Sequence, residues 1–156
     1  MELKTKVHAE DGKQELVITR EFEIPVDLLF KAYTDPEILE QWMGTRVLKL
    51  ENRKHGGYQF ETTDPKGNKH LFSGVMHEYS PERRIVRTFE MENTPFEAQL
   101  EFLEFESVTD HTSRLTMQVV YKSAALRDQM LQMPFKQGIN MAHNRLETIV
   151  KQLHTL

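Results

Sequence analysis

Positions 16 to 24 alternate in character. Leu16, Ile18, Phe22 and Ile24 share one parity, with Arg20 among them, while Val17, Thr19, Glu21 and Glu23 share the other. A period of two predicts a strand with one face inward. Pro25 ends it, because proline lacks the ladder donor. Val26 to Tyr33 reads as a short helix. Asp35-Pro36 then supplies an N-cap and a first-turn proline for a second short helix, Glu37 to Met43, which Gly44 closes. Strand patterns follow over Val47–Glu51, Tyr58–Thr62, Lys69–Tyr79, Arg84–Met91, Glu97–Phe105 and Ser113–Tyr121. Gly56-Gly57, Asp64 to Asn68 and Ser80-Pro81-Glu82 supply the turns between them, and Gly74 marks a bulge within the longest strand.

The last part of the chain changes period. Ser123 caps a helix over Ala124 to Gln132, and Pro134 interrupts it. Beyond the proline, Phe135, Ile139, Ala142, Leu146, Ile149 and Leu153 recur at steps of four and three. They form one apolar stripe on a helix of about 30 Å. Lys136, Asn140, Glu147 and Lys151 are expected on its solvated side, with Leu146 and Ile149 buried. A sheet with one apolar face needs a cover, and this helix has the matching stripe. The expected fold is α+β: a helix-grip, in which a curved antiparallel β-sheet wraps around the long C-terminal α-helix, with two short helices after the first strand. Residues 1–156 read as a single domain.

Several pieces, in their order and spacing, carry a family resemblance. They are Arg20-Glu21-Phe22 before Pro25, Asp35-Pro36-Glu37, Trp42-Met43-Gly44, Gly57, Phe72-Ser73-Gly74, Pro81-Glu82-Arg83, Arg87-Thr88-Phe89-Glu90, Ser123 with Arg127-Asp128, Gly138 and Arg145-Leu146. The chain resembles the SRPBCC superfamily of START-related proteins from about Leu16 to Leu153. Within it, the chain is similar to the branch of the C-terminal domain of the activator of the heat-shock-protein-90 ATPase. Thr45, Pro134-Phe135 and His143-Asn144 depart from the usual residues of that branch. The resemblance implies the grip and a cavity, and no shared catalytic residues. Members of the superfamily include lipid binders, cyclases and chaperone cofactors, so the fold does not choose among functions.

Composition narrows the chemistry. Hydrophobic residues make up 38% of the chain, charged residues 28%, and cysteines are absent, so disulfides, thiolate metal sites and cysteine nucleophiles are excluded. The formal net charge of −4 speaks against a nucleic-acid partner, which favours a basic face. No stretch approaches the ~20 apolar residues of a membrane span. The start, Met1 to Lys6, has no apolar leader core, and a cytoplasmic location is expected. The seven histidines are scattered, so no metal is expected. No cofactor loop or nucleophile elbow occurs, and no catalytic residue stands out. Glu97 and Glu101 share a strand face that reads as outer and solvated.

Two polar residues stand against apolar neighbours. Arg20 sits on an apolar strand face and needs a partner there. An internal salt bridge outweighs a ligand-carboxylate anchor. His143 lies beside the helix stripe, either at a half-solvated rim or facing a cavity. The strongest signal is apolar. Trp42, Tyr58, Phe60, Phe72 and Phe89 are candidate cavity residues, as are Phe102, Met117, Tyr121, Phe135 and Met141. Core packing must claim most of this set. Trp42, Tyr58, Phe89, Met117, Phe135 and Met141 are the expected wall. The leading expectation is binding of an apolar small molecule without bond chemistry. A chaperone-associated interaction domain, or pairing with a second copy, is the alternative. An enzyme of cyclase, aromatase or hydrolase type comes third.

Overall fold

Strand, two helices, six strands and two helices follow one another after a short edge strand. The computed structural model describes residues 3–155, so Met1 and Glu2, read above for a leader, lie outside the described residues. The elements are β1 (Lys6–His8), β2 (Glu15–Phe22), α1 (Val26–Thr34), α2 (Pro36–Met43), β3 (Arg46–Leu50) and β4 (Gly57–Thr63). Then come β5 (Lys69–Ser80), β6 (Arg84–Met91), β7 (Gln99–Thr109), β8 (Thr112–Val120), α3 (Ala124–Gln132) and α4 (Phe135–Thr155). The strands form one antiparallel sheet in the order β1-β2-β8-β7-β6-β5-β4-β3. The helices α1 and α2 carry the chain from the β2 end of the sheet to its far edge at β3. The fold is the helix-grip expected from the pattern.

The alternation in β2 does what its period requires. Leu16, Ile18, Arg20 and Phe22 are buried, and they stand opposite Val119, Met117, Leu115 and Ser113 of β8. Leu103 and Phe105 of β7 continue the same layer opposite Met117 and Leu115. Leu146 and Val150 of α4 close the core from above, at 0% and 3% exposure.

Four local expectations change. First, β1 was not read from the sequence; three residues are too few to show a period, and pairing to Thr19, Ile18 and Val17 creates the strand. Second, β7 begins at Gln99 rather than Glu97, because Asn93 and Glu97 take left-handed φ angles of 63° and 58° that end the ladder. Third, the irregularity in β5 falls between Met76 and Glu78 rather than at Gly74.

The fourth change is a rotation of α4. Asn140 and Glu147 are buried, Ile149 is only partly buried, and Leu153 is exposed. The chain's N-terminal segment covers the side expected to face water. The Thr5 amide donates to Asn140 Oδ1 at 3.0 Å, and the Glu23 amide donates to Glu147 Oε2 at 2.8 Å. Polar residues are thus drawn inward by backbone groups that need acceptors.

Candidate functional site

The turn between α1 and α2 places two aromatic rings. The Asp35 side chain accepts from the amides of Glu37 and Ile38, and Pro36 occupies the first turn. At the other end Gly44 takes a left-handed φ of 65°. The Trp42 indole donates to the Ala32 carbonyl at 2.7 Å, which pins its ring. Tyr33 packs beside it, with ring centroids 5.0 Å apart.

These rings form one side of a cavity of about 320 Å³ between the helices and the inner face of the sheet. Ile18, Trp42, Met117 and Tyr121 line its buried depth. Phe89, Met91, Phe96, Met130 and Phe135 are less buried and line its outer part, with Ile139 and Ala142 of α4 above. A second depression, of about 610 Å³, lies along β1 and β2. It is lined by Lys4, Lys6, Glu21 and Arg114 among others, and suits water better than an apolar guest.

One polar corner interrupts the apolar wall. Arg87 of β6 stands opposite Glu101 of β7, both on the inner face and at 7% and 3% exposure. Arg87 Nε donates to Glu101 Oε1 at 2.9 Å, and Gln99 Nε2 donates to Glu101 Oε2 at 2.7 Å. The guanidinium lies 5.3 Å over the Tyr58 ring. Glu101 was expected on a solvated outer face. It shares its parity with Leu103 and Phe105, and that match was the available signal. Arg87 shares its parity with Ile85 and Phe89 in the same way.

Behind Tyr33 lies a buried polar cluster outside the cavity wall. His143 is 0% exposed. Its Nε2 lies 3.0 Å from the Tyr33 hydroxyl, and its Nδ1 lies 2.9 Å from Thr5 Oγ1. Burial, with the Arg20 charge adding to it, pushes the His143 imidazole down to about 3. The ring is therefore neutral near pH 7, donating at one nitrogen and accepting at the other. Arg20 Nη1 donates to Thr5 Oγ1 at 3.1 Å and to Asn144 Oδ1 at 2.8 Å. Its Nη2 lies 3.9 Å from Glu147 Oε2. Burial lowers the Arg20 pKa and Glu147 opposes that shift.

Of the residues singled out from the sequence, Trp42, Phe89, Met117, Tyr121 and Phe135 line the cavity. Tyr58 lies behind Arg87, and Phe60 packs 5.2 Å from Tyr58 in the core. Phe72 backs Phe89 at 5.5 Å. Phe102 has the parity opposite to Glu101 and lies on the other face of the sheet, under Arg84 at 5.5 Å. Met141 is 58% exposed, because it falls on the side of α4 away from His143 and Leu146. Arg20 and His143 sit in the cluster behind Tyr33, and His143 is not at a half-solvated rim. Among the described residues, no three metal-ligating side chains come together, and no helix is long and apolar enough to cross a membrane.

Solved structures share this fold. A protein from Rhodobacter sphaeroides superposes with a TM-score of 0.85 at 20% identity, over 96% of this chain and 99% of its own. One from Mycobacterium smegmatis gives 0.82 at 24% identity, over 93% and 95%. One from Nitrosomonas europaea gives 0.80 at 23% identity, over 94% and 100%. No curated protein matches the sequence. Residues 23–151 match the family described as Activator of Hsp90 ATPase homolog 1-like protein. That span is most of the chain, and the chain belongs to the family of Activator of Hsp90 ATPase homolog 1-like proteins.

Proposed function

We propose that the protein binds a hydrophobic small molecule in the cavity between α4 and the sheet, without making or breaking bonds. The carrying observation is the wall itself: aromatic and methionine side chains from α2, α3, α4, β6 and β8 around one small polar corner. Small-molecule sites have this character, with volumes upward of about 300 Å³ and few convergent polar groups. Methionine adapts to irregular guests, and Met43, Met91, Met117 and Met130 all border the space. The polar groups nearby support holding rather than reaction. Glu101 has both oxygens engaged, and His143 has both nitrogens engaged.

The family's name supports a second reading, a domain that acts with the Hsp90 ATPase. Such a domain needs a contiguous apolar surface. Among the described residues, the exposed large apolar ones are Leu48 of β3, Val75 of β5, Leu100 and Val108 of β7, Met133 between α3 and α4, and Met141 and Leu153 of α4, spread over several elements. The cavity therefore favours the first reading.

Titration with an apolar fluorescent probe tests it. Saturable binding of one probe per chain, reversed by a fatty acid, a sterol or a flavonoid, is the expected result. A probe signal that never saturates would sink the proposal. Native mass spectrometry of protein purified from cells adds a direct observation, since a co-purified small mass identifies the guest and a co-purified protein argues for the second reading.

A further inference from the structure

The polar corner of the cavity has charged donors to spare. Glu101 spends both carboxylate oxygens on Arg87 Nε and Gln99 Nε2. Arg87 spends only Nε, and its two terminal nitrogens have no acceptor among the described residues. The Tyr121 hydroxyl likewise makes no hydrogen bond among the described residues, although the residue is 2% exposed. Both side chains line the cavity. Register places both on the inner face, on either side of Glu101: Arg87 pairs with Glu101, Glu101 with Val119, and Tyr121 follows two residues later on the same parity. A guest completes this corner by offering an acceptor oxygen.

Charge restricts which oxygen fits. Arg87 and Glu101 already cancel. A guest carboxylate would leave a net negative charge in a buried, mostly apolar space, where an uncompensated ion is costly. Arginine usually suits carboxylates through two parallel hydrogen bonds, but here Glu101 holds the cation first. An uncharged carbonyl accepts from the free guanidinium N–H groups, or from the phenol, without upsetting that balance. Hydrogen bonds to a charged donor are also the stronger kind.

We infer that the cavity selects uncharged carbonyl compounds with an apolar, ring-sized body, the carbonyl oxygen accepting from Arg87 or from Tyr121. This inference rests on the ligand-binding reading above and narrows it to a chemical class. Such a site would pass over both plain hydrocarbons and free acids, although a featureless apolar cavity prefers the hydrocarbon.

Three probes with the same ring system, substituted at the same position, test it on the intact protein: acetylnaphthalene, isopropylnaphthalene and naphthoate. The ketone is expected to bind most tightly and the carboxylate least. The ketone's infrared carbonyl band is expected to move to lower frequency when bound. A second arm uses Glu101→Gln, which keeps an acceptor for Arg87 and removes the balancing charge. There the carboxylate is expected to gain on the ketone by on the order of tenfold. If the hydrocarbon binds the wild-type protein more tightly than the ketone, the carbonyl inference is overturned while ligand binding stands. If the carboxylate binds the wild type best, the charge argument is overturned. If none of the three binds, the inference falls together with the ligand-binding reading. Where Glu101→Gln does not fold, the wild-type ranking and the carbonyl band decide alone.

Discussion

The Tyr33 hydroxyl meets His143 Nε2 at 3.0 Å, joining α1 to the middle of α4 through a buried contact. Tyr33 also forms part of the cavity wall. One side chain therefore separates two buried environments, an apolar space on one side and a polar cluster on the other. The second nitrogen of His143 reaches Thr5, and Thr5 in turn accepts from Arg20. This string ties the N-terminal segment, β2, α1 and α4 to one imidazole.

Acid should unfold the protein through that imidazole before it acts through carboxylates. The folded value is about 3, against 6.5 for an ordinary histidine. The unfolded chain therefore binds a proton that the folded chain refuses. Stability from this group is full above pH 6.5 and falls as pH drops toward the folded value. The limiting slope is about 1.4 kcal/mol per pH unit for one proton. Urea unfolding at pH 7.5, 6 and 5 should show this loss, and His143→Gln should flatten it. An equal slope in the variant would show that other groups carry the acid sensitivity.

Arg20 depends on Glu147 for its only nearby counter-charge among the described ion pairs, with the two side chains 0% and 11% exposed. Removing one partner of a buried pair costs about 3–5 kcal/mol, because the other charge is left uncompensated. Glu147→Ala also removes the acceptor of the Glu23 amide. Glu147→Gln retains an oxygen for that amide and loses only charge, so it should cost clearly less than alanine in chemical denaturation. Equal losses would mean that the ion pair, not the amide, explains the burial.

Much of the architecture was legible because long elements repeat their signal. The alternation of β2 and the four-three stripe of α4 each carry many residues that agree. Three-residue β1 has no such redundancy, and its existence depends on β2 as a template. The burial of Asn140 and Glu147 was hidden for a related reason: their partners are backbone amides of Thr5 and Glu23, far away in sequence. The site was less legible than the fold. A charge in a strand normally marks the wet face, and Glu101 reverses that only because Arg87 sits across from it on the next strand. Aromatic residues signalled burial correctly in kind, but parity decides which ones meet the cavity, as Phe102 shows.

Gly74 should not tolerate a side chain. A methyl group there would lie 2.0 Å from the Thr88 carbonyl oxygen and 2.6 Å from the Tyr58 hydroxyl. Tyr58 stands directly opposite Gly74 in β4 and reaches across it to donate to Thr88. Gly74→Ala must therefore displace that bond or part the strands, at a cost of about 1–3 kcal/mol. Tyr58→Phe, which removes only the hydroxyl, should cost about 0.5–1.5 kcal/mol. Thermal unfolding of the two variants should rank them in that order. A Gly74→Ala protein as stable as wild type would contradict the close approach.

Ala142→Phe distinguishes an empty interior from a filled one. Ala142 lies on α4 beside Ile139 and borders the cavity. In a filled core, a small-to-large change forces strain and costs about 1–3 kcal/mol. Beside an empty space the added ring has somewhere to go, and it recovers some stability by burying apolar surface. It also takes volume from a guest. The expected outcome is an unfolding midpoint near that of wild type, with probe affinity reduced tenfold or more. Phe135→Ala is the reciprocal change, removing a ring from the less buried part of the wall. It should widen access and speed probe exchange while α4 stays anchored at Leu146 and Val150. If Ala142→Phe mainly lowers the midpoint and leaves probe binding untouched, the guest does not lie beneath α4, and the binding site must be sought on another surface.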